Sequence, residues 1–135
     1  MYNVSFCDPF KDDIVDLGKV ESSKVMELFE KTPWQEYLKQ MENTDANKIH
    51  YSPTLQFEDV VTNHAISLSA DGGNQGIEWT ILYIRPKIVK YLFGLLGESS
   101  LTDITEIVGR SEADVRKCIE ALLKEDYQFL NSFVL

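Results

Sequence analysis

Basic residues are in short supply in this sequence, and the shortage argues against several classes of function. The chain of 135 residues has 13 Lys and Arg against 22 Asp and Glu, which gives a formal net charge of −9. DNA presents a dense line of negative charge, so proteins that bind it normally carry a basic region. No part of this chain is basic, and we therefore expect no broad patch for nucleic acid or anionic lipid.

Histidine is also scarce, so few side chains are available to act as an acid, a base or the partner of a nucleophile. The 2 histidines, His50 and His64, carry no local catalytic signature such as GxSxG or HExxH. We therefore predict no catalytic residue and expect a protein that is not an enzyme. A small enzyme or ligand-binding domain stays open as a third alternative. Its pocket would be sought near four residues: His50, His64, Tyr51 and Trp79.

Cysteine is also rare, and its placement indicates neither a metal site nor a disulfide framework. The 2 cysteines, Cys7 and Cys118, lie far apart and have no CxxC partner or zinc-ligand spacing. We expect two free or buried thiols, no metal and no cofactor. An acidic cluster near the start lacks the glycine pivot and final glutamate of a dedicated calcium loop.

Long hydrophobic runs are missing as well. The longest, near residues 88–96, is too short to span a bilayer, and the first residues lack the features of a signal peptide. We therefore expect a cytoplasmic protein without membrane contact. The apolar content of 44% is ordinary and spread along the chain. It is enough for the core of one domain over residues 1–135.

Alternating apolar residues predict an α+β fold built on a small antiparallel meander of three to four strands. The expected strands lie near residues 2–6, 55–61, 64–70 and 77–85. The glycine-rich segment 71–76 predicts a hairpin loop. A phosphate-binding loop would need a following helix and a lysine–serine or lysine–threonine pair, and this segment has neither.

Helical spacing predicts helices on both sides of the meander, which occupies residues 55–85. The N-terminal helices span residues 9–41, and they begin with a segment that places Phe10, Ile14 and Leu17 on one face. Later N-terminal helices follow from Ser23 and from Trp34, with their apolar residues in the core. A C-terminal helical unit spans residues 87–135.

The capping and terminating residues of the C-terminal unit predict two short helices joined by a turn. Ser100 caps the first helix and Gly109 ends it, while Ser111 with Asp114 caps the second. Together with the apolar segment before them, residues 88–124 resemble the tri-helical unit of winged-helix and related helix-turn-helix domains. This resemblance implies a transcriptional regulator that binds DNA through residues 102–123.

The resemblance assigns DNA contact to three basic residues of this segment: Arg110, Arg116 and Lys117. The sequence departs from the family pattern at Thr105, where a small residue is usual, and at Arg110, where an apolar residue is more common. No wing-like hairpin follows. Glu112 and Asp114 place negative charge at the helix end that would meet phosphates, so nucleic acid is the less favoured partner.

The acidity supports a different function, which we favour over the DNA-binding alternative. An acidic domain without a catalytic motif is suited to binding and neutralising a basic protein partner. We expect a non-enzymatic interaction module of the immunity-protein or inhibitor type. The acids predicted to contact the partner form two runs: Asp8, Asp12, Asp13 and Asp16 in the first, and Glu58 with Asp59 in the second.

Overall fold

The protein folds around a six-stranded antiparallel sheet. The structure is a computed structural model, and it describes residues 1–73, 76–86 and 102–132. In chain order the strands are β1 (Tyr2–Cys7), β2 (Val15–Val20), β3 (Thr54–Asp59), β4 (Ala65–Gly73), β5 (Gly76–Pro86) and β6 (Thr102–Arg110). They lie side by side in the order β2-β1-β3-β4-β5-β6. The predicted α+β class and the four predicted strands are confirmed, and the sheet has two strands more than expected.

The helices of the described residues lie before β3 and after β6. They are α1 (Ser22–Lys31), α2 (Trp34–Glu42), a short 3-10 turn (Ala46–Lys48), α3 (Glu112–Leu123) and α4 (Tyr127–Ser132). Helix α3 begins with the predicted capping box, in which Ser111 accepts from the Asp114 backbone and Asp114 accepts from the Ser111 backbone. None of these helices is long and apolar enough to cross a membrane.

The core lies between one face of the sheet and the helices. Alternate strand residues point to that face, so Val4, Phe57, Ile66 and Tyr83 form one row across β1, β3, β4 and β5. Buried residues of the helices complete the core: Val25, Phe29, Trp34, Val115, Ile119, Leu122 and Leu130. The N-terminal helices and α3 therefore pack on the same layer.

An aromatic cluster fastens the sheet to the first two helices. The Trp79 ring on β5 lies 4.9 Å from the Trp34 ring on α2 and 5.5 Å from the Phe29 ring on α1, measured between centroids. The Trp34 indole N–H donates to the Phe29 carbonyl oxygen at 3.0 Å. Trp34 and Trp79 are thus core residues, as predicted for Trp34, and neither lines any of five clefts that the described residues form.

The prediction of a first helix between residues 9 and 18 is wrong, because its first part forms the hairpin loop and its last part belongs to the edge strand β2. Gly18 has a φ of 84°, a conformation that glycine adopts readily, and its N–H donates to the Asp16 carboxylate at 2.8 Å. The pairing with β1 shifts register opposite Val4 and Ser5. A bulge therefore replaces the helical turn that the spacing of Phe10, Ile14 and Leu17 had predicted.

The prediction of a helix-turn-helix is also wrong, because its first helix is strand β6. Thr105 lies opposite Tyr83 and Ile107 opposite Ile81, in an antiparallel ladder along β5. Gly109 has a φ of 74°, so it does adopt the expected left-handed conformation, but at the end of a strand. Residues 87–101 of the predicted C-terminal unit lie outside the described residues.

Candidate partner-binding surface

The β1–β2 hairpin carries the first predicted acidic run at the outer edge of the sheet. Asp12, Asp13 and Asp16 are exposed, and none of them forms an ion pair with another described residue. Asp8 is half-buried and accepts a hydrogen bond from the Phe10 N–H at 2.9 Å. Within the described chain these acids do not converge into a possible metal site. They are therefore available to a cationic partner.

Two hydrogen bonds connect the hairpin loop to a neighbouring segment of the chain. The Tyr51 hydroxyl donates to the Asp12 carbonyl at 2.8 Å, and the His50 N–H donates to the Pro9 carbonyl at 2.7 Å. Both bonds come from the segment that leads into β3. From the sequence, we named His50 and Tyr51 as residues near which a ligand pocket would be sought. In the structure, both residues support the acidic loop.

Two apolar side chains stand exposed on the same hairpin. Ile14 is 59% exposed and Leu17 is 45% exposed. Apolar side chains surrounded by charged ones are typical of protein-binding surfaces. Their helical spacing in the sequence placed both residues on one face of a predicted helix and gave no sign of this exposed hairpin.

Three neighbouring clefts lie beside the hairpin and along helix α2. The first has a volume of about 230 Å³ and is lined by Leu17, Leu28, Pro33 and Tyr37 among others. The second includes Pro33, Tyr37 and Gln40, and the third joins Gln40 to Phe10. We call these three clefts together the hairpin groove, defined by Phe6, Phe10, Leu17, Leu28, Tyr37 and Gln40.

The floor of the hairpin groove is aromatic, and its lining carries charges of both signs. The Phe6 ring lies 5.3 Å from the Tyr37 ring and 6.3 Å from the Trp34 ring, measured between centroids. Burial raises the pKa of Tyr37, and the nearby Asp8 carboxylate raises it further. Lys31 lines the groove at Leu28, and Glu36 lines it along α2. The groove therefore offers apolar surface beside the hairpin.

The second acidic run lies at the other end of the sheet. Cys7 pairs with Thr54 at the hairpin-loop end of the β1–β3 ladder, whereas Tyr2 pairs with Asp59 at the opposite end. Asp59 is only 8% exposed, and its carboxylate accepts from the Val61 N–H at 2.8 Å. Asp59 thus stabilises the turn after β3. The structure does not bring Glu58 and Asp59 together with the acids of the hairpin.

The basic residues that the sequence suggested for DNA contact do not form a basic surface. The Arg116 guanidinium pairs with Glu30 at 2.7 Å and with Glu112 at 3.1 Å. It also lies over the Phe29 ring, 5.5 Å from the centroid, and so links α1 to α3. Arg110 is half-buried at the end of β6, and Lys117 is exposed on α3. Arg116 therefore has a structural role between two helices.

His64 belongs to an aromatic cluster that docks helix α4 against the sheet. Its Nδ1 shares a 2.8 Å hydrogen bond with the Tyr83 hydroxyl, and its ring stacks on Tyr127 with centroids 3.6 Å apart. Burial raises the pKa of Tyr83 to about 12. Neither His64 nor His50 lines any of five clefts formed by described residues. The cluster therefore packs α4 against the sheet and lines none of these five clefts.

Comparison with known proteins does not add a relative whose function bears on this surface. No family model, curated protein or solved structure significantly matches the chain. The functional argument therefore rests on the charge, exposure and geometry of the hairpin and its groove.

The His64 cluster predicts a defined dependence of stability on pH. Burial lowers the pKa of His64, an effect that the Asp59 carboxylate opposes. The unfolded chain therefore binds more protons than the folded chain below about pH 6.5, and stability falls as the pH drops through that value. We expect His64→Gln to flatten this fall between about pH 7.5 and 5.5 in urea denaturation. His50→Gln, at an exposed ring, is the control, and identical pH profiles for the wild type and His64→Gln would refute the assignment.

Proposed function

We propose that the protein is a non-enzymatic interaction module that binds a basic protein partner through the β1–β2 hairpin. The observation that carries this proposal is the juxtaposition of exposed acids, Asp12, Asp13 and Asp16, with two exposed apolar side chains, Ile14 and Leu17. The acids raise the rate of encounter with a cationic surface, and the apolar groups supply contact area once water is expelled. Inhibitors and immunity proteins of basic nucleases use this chemistry.

The support of the hairpin loop strengthens the proposal. A loop that is already held by Tyr51 and by the His50 backbone loses little conformational freedom when a partner binds. Less of the contact energy is then spent on ordering the loop. A pre-organised acidic loop is therefore suited to tight binding as well as to fast association.

The two thiols agree with a cytoplasmic location within this proposal. Cys7 and Cys118 are both free. Burial raises the pKa of both, that of Cys118 to about 12, so neither thiol ionises readily. Unpaired, unreactive thiols suit a reducing compartment.

The proposal predicts salt-sensitive binding that depends on the hairpin acids. We would measure association with a panel of basic ribonucleases and deoxyribonucleases by surface plasmon resonance. Replacing both Asp12 and Asp13 with asparagine should weaken binding by about 10-fold at low salt, mainly through a slower association rate. Both side chains are exposed, so the free energy of unfolding should not change.

A variant with the same loss of charge elsewhere provides the control. Glu78 and Glu120 are exposed and lie outside the hairpin, and replacing both with glutamine removes the same two charges. This control variant should bind within about 2-fold of the wild type at moderate salt, where distant charges are screened. Equal losses in the two double variants would contradict the hairpin as the binding surface. Failure of every nuclease to bind at low salt would contradict the proposal as a whole.

A further inference from the structure

Strand β2 forms one edge of the sheet, and four of its six residues are exposed. In the part of the chain that the structure describes, β1 is the strand that pairs with β2, and none pairs with its outer side. An edge strand presents unpaired N–H and C=O groups to which another strand can bind. The outer side of β2 can therefore accept a strand from another molecule.

The ladders on the inner side indicate which residues of β2 direct their backbone groups outward. Backbone groups alternate in direction along an antiparallel strand. At the end of β3 the Asp59 N–H donates to the His64 carbonyl, just before β4, at 2.9 Å. The alternation then turns the backbone groups of Asn3 and Ser5 toward β3, and those of their partners on β2 away from the sheet. These partners are Lys19 and Asp16.

Asp16 and Lys19 also carry opposite charges on the same face of the sheet. Their partners Ser5 and Asn3 are two residues apart on β1, so both charged side chains point away from the helices. Both are exposed, and neither forms an ion pair with another described residue. The strand, VDLGKV, thus has a valine at each end, then opposite charges, then its centre. An antiparallel second copy aligned on that centre places each Asp16 opposite a Lys19.

The bulge of β2 fits a second copy better than a regular strand. Leu17 is the extra residue, because Gly18 and Asp16 pair with consecutive residues of β1. The distance between Asp16 and Lys19 therefore differs from that in a regular strand. A two-fold axis at the centre of β2 brings the same bulge from both copies, so the charges match in spacing. Leu17, which is 45% exposed, lies at this axis and can contact its own copy.

The symmetric pairing also keeps the acidic loops of the two copies apart. In an antiparallel pair, residues before β2 in one chain lie beside residues after β2 in the other. Asp12 and Asp13 are thereby directed toward the start of α1 in the second copy. That helix has no acidic residue in its first turn and no side chain that caps it. The positive end of the helix dipole favours the approaching carboxylates.

We propose that two copies of this chain pair through β2 into a symmetric dimer in which the two sheets are continuous. The interface is small, so we expect a dissociation constant of about 10–100 µM. The dimer covers the hairpin that is proposed to bind the basic partner, and the two interactions therefore exclude each other. The dimer forms from the chain alone and does not depend on the proposed function.

Sedimentation equilibrium of the full chain between about 5 and 500 µM tests the dimer through an exchange of charges. Lys19→Asp sets two acids opposite each other and should weaken the dimer by at least about 10-fold. Asp16→Lys should weaken it equally, although this change reduces the net negative charge that separates the copies. Combining the two substitutions restores opposite charges and should return the dissociation constant to within about 3-fold of the wild type.

Lys117→Asp is the matched control, because it makes the same change of charge at an exposed residue of α3. It should alter the dissociation constant by less than about 3-fold. Asp16 also accepts a hydrogen bond from the Gly18 N–H, whereas Lys19→Asp removes no such bond and gives the cleaner result. A monomer at every concentration, or equal effects of Lys19→Asp and Lys117→Asp, would overturn the inference. Nuclease binding by the dilute, monomeric chain tests the proposed function separately.

Discussion

Replacing Trp79 with alanine is expected to lower the free energy of unfolding by about 3–5 kcal/mol. Trp79 is 1% exposed, and its ring lies within 5.5 Å of the rings of Phe29 and Trp34. Removing it would leave a cavity where β5 meets α1 and α2, and these helices form one wall of the hairpin groove. A domain of this size is stabilised by only about 5–15 kcal/mol, so the variant should be close to unfolding at physiological temperature.

Urea denaturation followed by far-ultraviolet circular dichroism gives the measurement. Trp79→Phe is the control, because it retains an aromatic ring in the cluster and should lose markedly less stability than Trp79→Ala. A loss below about 1 kcal/mol for Trp79→Ala would show that this residue is not the buried centre of the core. It would also reopen the alternative in which Trp79 lines a ligand pocket.

Replacing both Ile14 and Leu17 with serine is expected to weaken partner binding by about 30-fold or more. The two side chains are the exposed apolar part of the hairpin, at 59% and 45% exposure. Apolar residues at the centre of an interface contribute most of its energy, whereas the surrounding charges mainly affect the association rate. The loss should therefore appear as faster dissociation, and serine leaves the charge of the surface unchanged.

Val61→Ser provides a matched control for this experiment. Val61 is 82% exposed and follows β3, at the end of the sheet opposite the hairpin loop. The substitution removes exposed apolar surface of the same kind without touching the proposed interface. Binding should stay within about 2-fold of the wild type. A loss below about 3-fold for the hairpin variant, or an equal loss for Val61→Ser, would contradict the assignment of the hairpin.

The interior strands could be predicted from the sequence because both of their faces follow a local pattern. In β4, Ile66 and Leu68 alternate with Ser67 and Ser69, and the structure puts the first pair in the core. Helix α3 was equally predictable, since Ser111 and Asp114 form a capping box that depends only on neighbouring residues. Local signals of this kind do not depend on knowing the rest of the fold.

The two edge strands were mispredicted because their pattern is ambiguous without their pairing partner. In β2 and the loop before it, the spacing of Phe10, Ile14 and Leu17 matches a helix, and the bulge next to Gly18 removes the alternation of a strand. In β6, the cap-like Ser100 and the glycine at 109 suggested a helix. A strand signal was present there in the β-branched residues Thr102, Ile104, Thr105, Ile107 and Val108.

The candidate site was predictable only in part for the same reason. The acids from Asp8 to Asp16 were predicted from charge alone, and the structure leaves Asp12, Asp13 and Asp16 exposed together on one hairpin. The hairpin groove was not predictable, because it exists only where β2 lies beside the start of α2. Its residues come from three separate segments, and no short motif connects them.

Hydrogen–deuterium exchange of the protein, free and bound to a basic nuclease that it inhibits, tests the central claim most directly. The proposed surface predicts slower amide exchange on binding in residues 8–20 and 33–44, where the hairpin and the groove lie. Exchange in residues 54–71, which include β3 and most of β4, should stay unchanged. Slower exchange confined to α3, with no change in the hairpin, would contradict the claim that this acidic hairpin binds the partner.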